Sequence, residues 1–240
     1  MQAVVLAAGQ GTRLRAASPV KPLTLVAGKP LILHTLDRLR ASGATSAVVV
    51  LGYEGAQVRA VLDAAVTLPL TLVDNPRWDE PNGISVLAAA PQLAPHALLC
   101  MADHLVAPAL YAAMIGHDLG GDELALGIDR RLGHPWVDED DVTRVATRGD
   151  RIVAIGKHLP VYDAYDTGVF RITPALAAAL AGLSDPGLSD GVRALAALGR
   201  AGVVDMSAHD WLDIDDPRAL ALAELWTSRR PVFPSGAVPG

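Results

Sequence analysis

Two glycines, a threonine and an arginine stand together in Gly9-Gln10-Gly11-Thr12-Arg13, directly behind the apolar run Ala3-Val4-Val5-Leu6 and ahead of Lys21-Pro22-Leu23. A strand that empties into a glycine-rich turn is a place to hold phosphates. Glycine takes positive φ and lets the backbone come close, so successive N–H groups can converge on anionic oxygens. Arg13 and Lys21 would add fixed positive charge. A P-loop would need Gly-Lys-Ser/Thr after a four-residue gap, and that ending is missing. A dinucleotide fingerprint wants a third glycine, where Leu14 stands, and an acidic residue closing the second strand, where Ala47–Leu51 runs into Gly52-Tyr53. A turn that merely reverses the chain needs neither Arg13 nor Lys21.

The pattern Leu6-Ala7-Ala8-Gly9-Gln10-Gly11-Thr12-Arg13-Leu14 followed by Lys21-Pro22-Leu23 resembles the signature of sugar-phosphate nucleotidyltransferases, with Val20 inserted between the usual Pro and Lys. The resemblance makes nucleoside triphosphate binding the leading reading. Val20 shifts Lys21 relative to the commoner spacing.

Carboxylates follow at two places. Asp103 comes at the exit of the apolar run Leu98-Leu99-Cys100-Met101-Ala102, where it could coordinate Mg²⁺ on triphosphate oxygens. The competing role is a cap for a helix near Pro108. In Trp211-Leu212-Asp213-Ile214-Asp215-Asp216-Pro217, alternation places Asp213 and Asp215 on one face of an extended segment, while Asp216 suits a helix N-cap. Asp215 is preferred to Asp213 as the second metal ligand.

These residues need a scaffold. Candidate strands at Ala3–Leu6, Ala47–Leu51, Leu70–Val73, Ala97–Met101 and Leu124–Ile128 alternate with helical segments at Pro30–Ser42, Gly55–Ala64 and Ile84–Ala90. That order predicts an α/β domain with a Rossmann-like mixed, mostly parallel sheet and helices on both faces. Right-handed crossovers would put Gly9, Asn75 and Asp103 at one edge, with the ligand there. Beyond Ile128, a hairpin of Val142–Thr147 and Arg151–Ile155 is expected. Helices are expected at Thr173–Ala181, Val192–Leu198 and Pro217–Thr227, and a strand at Val203–Met206. This second half reads as a β-rich, acceptor-binding extension of the same domain, spanning 1–228, followed by a flexible tail at 229–240 rich in proline and glycine.

Composition narrows the class. With 240 residues, 51% of them hydrophobic, the chain can bury a substantial core; only 4% are aromatic, so Ala, Val and Leu must fill it. A formal charge of −6 argues against nucleic acid as a partner. The single Cys100 makes no intramolecular disulfide, no leader is apparent and no apolar stretch reaches membrane-spanning length, so a cytoplasmic location is expected.

Met101-Ala102-Asp103-His104, Asn82-Gly83-Ile84-Ser85-Val86-Leu87, Ile155-Gly156-Lys157, Asp166-Thr167-Gly168-Val169-Phe170 and Trp211 to Pro217 together resemble CTP:inositol-1-phosphate cytidylyltransferases, from Val4 to about Leu222. The resemblance implies a GT-A-like fold with Leu6, Ala8, Gly9 and Gly11 as nucleotide cradle, and with Thr12, Arg13 and Lys21 on the triphosphate. It implies Asn82 and Gly83 beside the base, Mg²⁺ on Asp103 and Asp215, and Lys157, Thr167 and Gly168 on the inositol phosphate. Arg13, Lys21 and Lys157 would be the catalytic cations. Many relatives carry a fused membrane-embedded transferase; here it would be a separate polypeptide partner, or this chain an isolated domain. Read from residues alone, Asn82-Gly83 is equally a common turn and Lys157 a surface charge.

The implied reaction is transfer of a cytidylyl group from CTP to inositol 1-phosphate, giving CDP-inositol and pyrophosphate. Other acceptors, phosphocholine or a hexose 1-phosphate, are the near rivals, and a choline site would want an aromatic cage. A nucleotide-sensing module without chemistry is the rival from another class; Lys21, Asp103 and Asp215 together speak against it. His104 is read as an exposed histidine or one that orients a metal water, Asp138-Glu139-Asp140-Asp141 as a solvated, self-repelling loop with metal binding the lesser reading, and Trp78 and Trp136 as pocket walls or plain packing. Ser85 and Ser189 lack the context of a nucleophile elbow.

Overall fold

The computed structural model describes residues 1–14, 18–65 and 68–228. Its first half alternates strand and helix: β1 (Gln2–Ala7), β2 (Leu25–Val26), β3 (Lys29–Pro30), α1 (Leu31–Ala41), β4 (Ser46–Leu51), α2 (Gly55–Ala65), β5 (Leu70–Asp74), α3 (Gly83–Ala89) and β6 (Ala97–Met101). Then come β7 (His104–Val106), α4 (Pro108–Gly116), β8 (Leu124–Asp129), β9 (Arg144–Arg148), β10 (Arg151–Gly156) and β11 (Ala164–Ile172). The last elements are α5 (Ala175–Ala181), α6 (Leu188–Ala197), β12 (Ala201–Asp205), β13 (Trp211–Asp213) and α7 (Pro217–Ser228). The tail expected at 229–240 lies outside the described residues.

Nine strands form one sheet in the order β5-β4-β1-β6-β11-β8-β12-β10-β9. The expected parallel pairing holds from β5 through β6 and between β8 and β12, in register Val5↔Cys100 and Val203↔Leu126 at their centres. β11 is antiparallel to both β6 and β8, and β9, β10 and β12 join by antiparallel pairing, so the sheet is mixed and its parallel share is confined to those runs. Side chains alternate across a strand. Ala3, Val5 and Ala7 therefore pack with Ile32, Leu36, Val58 and Tyr111 of α1, α2 and α4 on one face. Val4 and Leu6 pack with Val86, Leu180 and Val192 of α3, α5 and α6 on the other. A third apolar cluster, Leu14, Val26, Leu105, Leu212 and Ile214, seats α7 through Ala219 and Ala223.

Five strands escape the sequence reading: β2, β3, β7, β11 and β13. β11 contains Asp166-Thr167-Gly168, which interrupts its apolar pattern, and its pairing with β8 shifts register between Asp166 and Phe170. β7 and β13 are three residues each and pair only with one another. α6 starts at Leu188, ahead of the expected Val192, because the Asp190 carboxylate accepts the Gly187 N–H at 2.8 Å.

Candidate active site

The C-terminal end of β1 runs into Gly9–Gly11 and a 3-10 turn, Thr12–Leu14, that carries Arg13. Gly11 sits at φ +60°, and a Cβ there would lie 2.6 Å from the Lys21 Cβ. Glycine thus serves both the turn and the passage of the Lys21 side chain. The extra residue Val20 is 3% exposed and packs into the core, and its carbonyl accepts the Leu23 N–H at 2.9 Å. Its side chain anchors the 3-10 turn Lys21–Leu23, and Lys21 is delivered into the site.

Lys21 is the hub. Its ammonium meets Asp103 Oδ2 at 2.6 Å, pairs with Asp215 and lies 3.6 Å from Asp213 Oδ1, while its side chain is only 7% exposed. Burial works against the ammonium, but Asp103 and Asp213 outweigh it and hold the Lys21 pKa above that of an ordinary lysine. Asp103 opens the connection from β6 to β7; α4 is capped instead at Ala107, so the helix-cap reading of Asp103 fails. His104 is a second correction. Its side chain is 12% exposed, its Nδ1 lies 2.9 Å from Asp103 Oδ1, and its ring stacks on Trp211 at 6.1 Å between centroids. Burial alone would lower its pKa, yet Asp213 and Asp103 push it up to about 9. Burial raises the carboxyl of Asp213, whereas Lys21 and His104 overcome burial at Asp103 and hold it low.

Arg13 pairs with Asp215 and with Asp141 Oδ2 at 2.5 Å, and lies 3.7 Å from Asp138. Lys157, just past β10, pairs with the other oxygen of Asp141 at 2.5 Å. In the loop Asp138–Asp141, Asp138 and Asp140 are exposed as expected, but Asp141 is held between two cations. Asp141 bridges the two cations that the sequence assigns to opposite halves of the site. A run of acidic letters hides this, because its partners come from distant segments.

Two cavities meet at Asp103 and Asp215. One, about 280 Å³, is lined by Leu6, Gly9, Gly11, Thr12, Arg13 and Lys21. The other, about 270 Å³, is lined by Asn82, Lys157, Asp166, Gly168, Trp136 and Trp211 among others. Burial lifts the Asp166 carboxyl to about 6. The serines differ: Ser189 lines this second cavity, whereas Ser85 is buried.

Several expected residues fall outside. Ala8 lines neither cavity and packs in the core beside Val48 and Val50. Gly83 is buried, and a Cβ there would meet the Pro186 carbonyl oxygen at 2.2 Å, so its glycine serves packing of that backbone rather than approach of a base. Asn82 lines the second cavity but also ties α3 to α6, its Oδ1 accepting the Leu188 N–H at 2.8 Å. Thr167 is fully buried with its hydroxyl donating to the Gly127 carbonyl at 2.7 Å, so its side chain does not reach the acceptor cavity. Asn75 donates to Ser85 at 3.0 Å and lines neither cavity. Trp78 packs on Tyr53, while Trp136 does wall the second cavity and packs on Trp226. Asp216 accepts the Ala219 N–H at 2.7 Å, as an N-cap does.

The donors fit a hard divalent cation. Ligand atoms of Asp103, His104 and Asp213 lie within 4.8 Å of one another, as do those of Asp141, Asp213 and Asp215. Carboxylate oxygens are the ligands such ions take. Asp213 is common to both groups, and its buried Oδ1 has no hydrogen-bond partner. Asp213 stands beside the preferred Asp215, and both face Lys21.

Comparison with known proteins accords with this geometry. The bifunctional IPC transferase and DIPP synthase of Rubrobacter xylanophilus is 38% identical over 227 residues, covering 92% of this chain and 51% of that protein. The chain spans about half the length of the curated relatives it matches first. The inositol-1-phosphate CTP transferase from T. maritima superposes with a TM-score of 0.85 at 26% identity, over 94% of each chain. A putative glucose-1-phosphate thymidylyltransferase from Bacillus anthracis shares the fold, with a TM-score of 0.82 at 15% identity over 96% of each chain. The family model described as the MobA-like NTP transferase domain matches residues 3–156, from within β1 through β10, and the chain belongs to that family of nucleotidyltransferases.

Proposed function

We propose that this chain transfers a cytidylyl group from CTP to inositol 1-phosphate, with Mg²⁺ as its metal, releasing CDP-inositol and pyrophosphate. The observation that carries the reading is the meeting of Asp103, Asp215 and Lys21 between two cavities, one bounded by the Gly9–Arg13 loop and the other by Lys157. The name of the T. maritima relative supplies the base and the acceptor.

In this reading an acceptor phosphate oxygen attacks the α-phosphorus, the bond from that phosphorus to the α–β bridging oxygen breaks, and pyrophosphate departs with the electron pair. A phosphate monoester is already ionised at neutral pH, so positioning and charge neutralisation carry the catalysis. Mg²⁺ held by Asp103 and Asp215, with Asp213 beside them, would neutralise charge on both substrates. Arg13 is 45% exposed at the mouth of its cavity and can turn from Asp141 and Asp215 to the triphosphate. Lys157, 50% exposed, is free to turn from Asp141 to the incoming phosphate. Lys21 is too enclosed to leave, and its charge balances the carboxylates in place. Among the described residues no helix is long and apolar enough to cross a membrane, so a transferase that consumes CDP-inositol within the bilayer would be a partner or a further part of the polypeptide.

The test is pyrophosphate release from four nucleoside triphosphates, each paired with inositol 1-phosphate, phosphocholine and hexose 1-phosphates in the presence of Mg²⁺. CTP with inositol 1-phosphate should exceed every other pair. A clear preference for another base or acceptor overturns the reading.

A further inference from the structure

β13 carries Asp213 and leads on to Asp215; Leu212 packs in the third apolar cluster, and the Ile214 N–H donates to the Asp103 carbonyl at 3.0 Å. β7 and β13 form a separate two-stranded sheet with Asp213 opposite His104, and such a sheet is marginal in water when isolated. Something outside it must fix its place. The chain enters β13 from β12, and that connection is stitched to the end of β8. The Met206 N–H donates to the Ile128 carbonyl at 2.7 Å, and the Arg130 N–H to Ser207 Oγ at 2.8 Å. Arg131 donates to the His209 carbonyl at 2.9 Å and to Asp210 Oδ1 at 3.0 Å.

At the centre is Asp129, the last residue of β8 and fully buried. It accepts the indole N–H of Trp211 at 2.9 Å and the Arg131 guanidinium at 2.9 to 3.1 Å. A buried carboxylate is tolerated only with such partners. Asp129 itself lines neither cavity, whereas Trp211, the residue it grips, stacks on His104 and lines the one that holds Asn82 and Lys157. Two residues beyond Trp211 comes Asp213, and two further Asp215.

We infer that Asp129 is a positioning residue of the transferase: from the end of β8 it grips Trp211 and, through Arg131, the 209–210 peptide, and so sets Asp213 and Asp215 against Asp103. This rests on the transferase reading above, in which those carboxylates hold the metal. Outer partners of metal ligands commonly change affinity by about 10- to 100-fold.

Trp211→Phe removes the indole N–H and keeps an aromatic ring; Asp129→Asn weakens the grip from the other side. Mn²⁺ affinity of the ligand-free protein, read by electron paramagnetic resonance, should fall about tenfold in each. Turnover should fall with it while KM for CTP stays put. Because the Trp211–Asp129 bond is common to both and Asp129→Asn also loosens Arg131, the double variant should lose no more than Asp129→Asn alone. Wild-type Mn²⁺ affinity in Trp211→Phe, even with a lowered melting temperature, would make Asp129 a stability residue only. Additive losses, or a wild-type protein that binds no Mn²⁺, also overturn the inference. Pyrophosphate release that is absent in the wild type for every substrate pair sinks the transferase reading instead, and the Mn²⁺ measurement still judges the anchor.

Discussion

Lys21→Met takes one positive charge out of a pocket of carboxylates. In the folded protein that ammonium is 7% exposed and touches Asp103 and Asp215, with Asp213 at 3.6 Å. Breaking a buried pair by removing one partner costs about 3–5 kcal/mol, since the remaining charge is left uncompensated. Here the carboxylates keep 22 to 35% of their side-chain surface, so water screens them and the lower end, about 3 kcal/mol, applies. For a domain of this size each kcal/mol moves the melting temperature by about 2–4 °C, which gives a fall of about 6–12 °C. Differential scanning calorimetry near neutral pH with a chelator present measures it. Adding Mn²⁺ should recover part of the loss, because a divalent cation supplies the missing charge. A variant that melts within about 2 °C of wild type in chelator refutes the argument that Lys21 neutralises this cluster.

Arg13→Ala should lower turnover about a hundredfold in a pyrophosphate-release assay, as loss of one preorganised electrostatic group does; near-normal turnover would remove Arg13 from the triphosphate. Thr167→Val should cost about 1 kcal/mol in denaturant unfolding through the lost bond to Gly127, with kinetics unchanged. A large rise in acceptor KM would instead put that hydroxyl on the substrate. His104, raised to about 9, contributes stability that is full below its unfolded value of about 6.5 and is lost as pH rises through about 9. His104→Gln should therefore flatten the stability profile between these limits, and an unchanged slope there would show that the ring is not held as an imidazolium.

The nucleotide half was legible because its signals are local. A glycine turn behind an apolar strand, helical periodicity and one carboxylate at a strand exit locate β1, α1, β4 and β6, with Asp103 where expected. The exposed reading of His104 and the solvated reading of Asp141 fail because their partners are remote: Asp141 is defined by Arg13 and Lys157, and His104 by Trp211 and Asp213. Thr167 and Gly83 sit in segments that do reach the site region, yet a hydroxyl can turn into the sheet and a glycine can answer to neighbouring backbone. Segment placement follows from pattern; the direction of one side chain follows from packing.

The strand order also dictates a sequence of events during synthesis. β5, β4, β1 and β6 can zip together once about 101 residues have emerged, since each finds its neighbours among earlier or adjacent segments. β8 cannot: both its partners, β11 and β12, are made later, and β10 too needs β12 for its inner edge. Unpaired strand edges are aggregation-prone while they wait. The nascent chain thus carries an early parallel nucleus and a late antiparallel closure. Asp213 and Asp215 arrive after that closure, so the acidic cluster is completed only in a chain whose sheet has been filled.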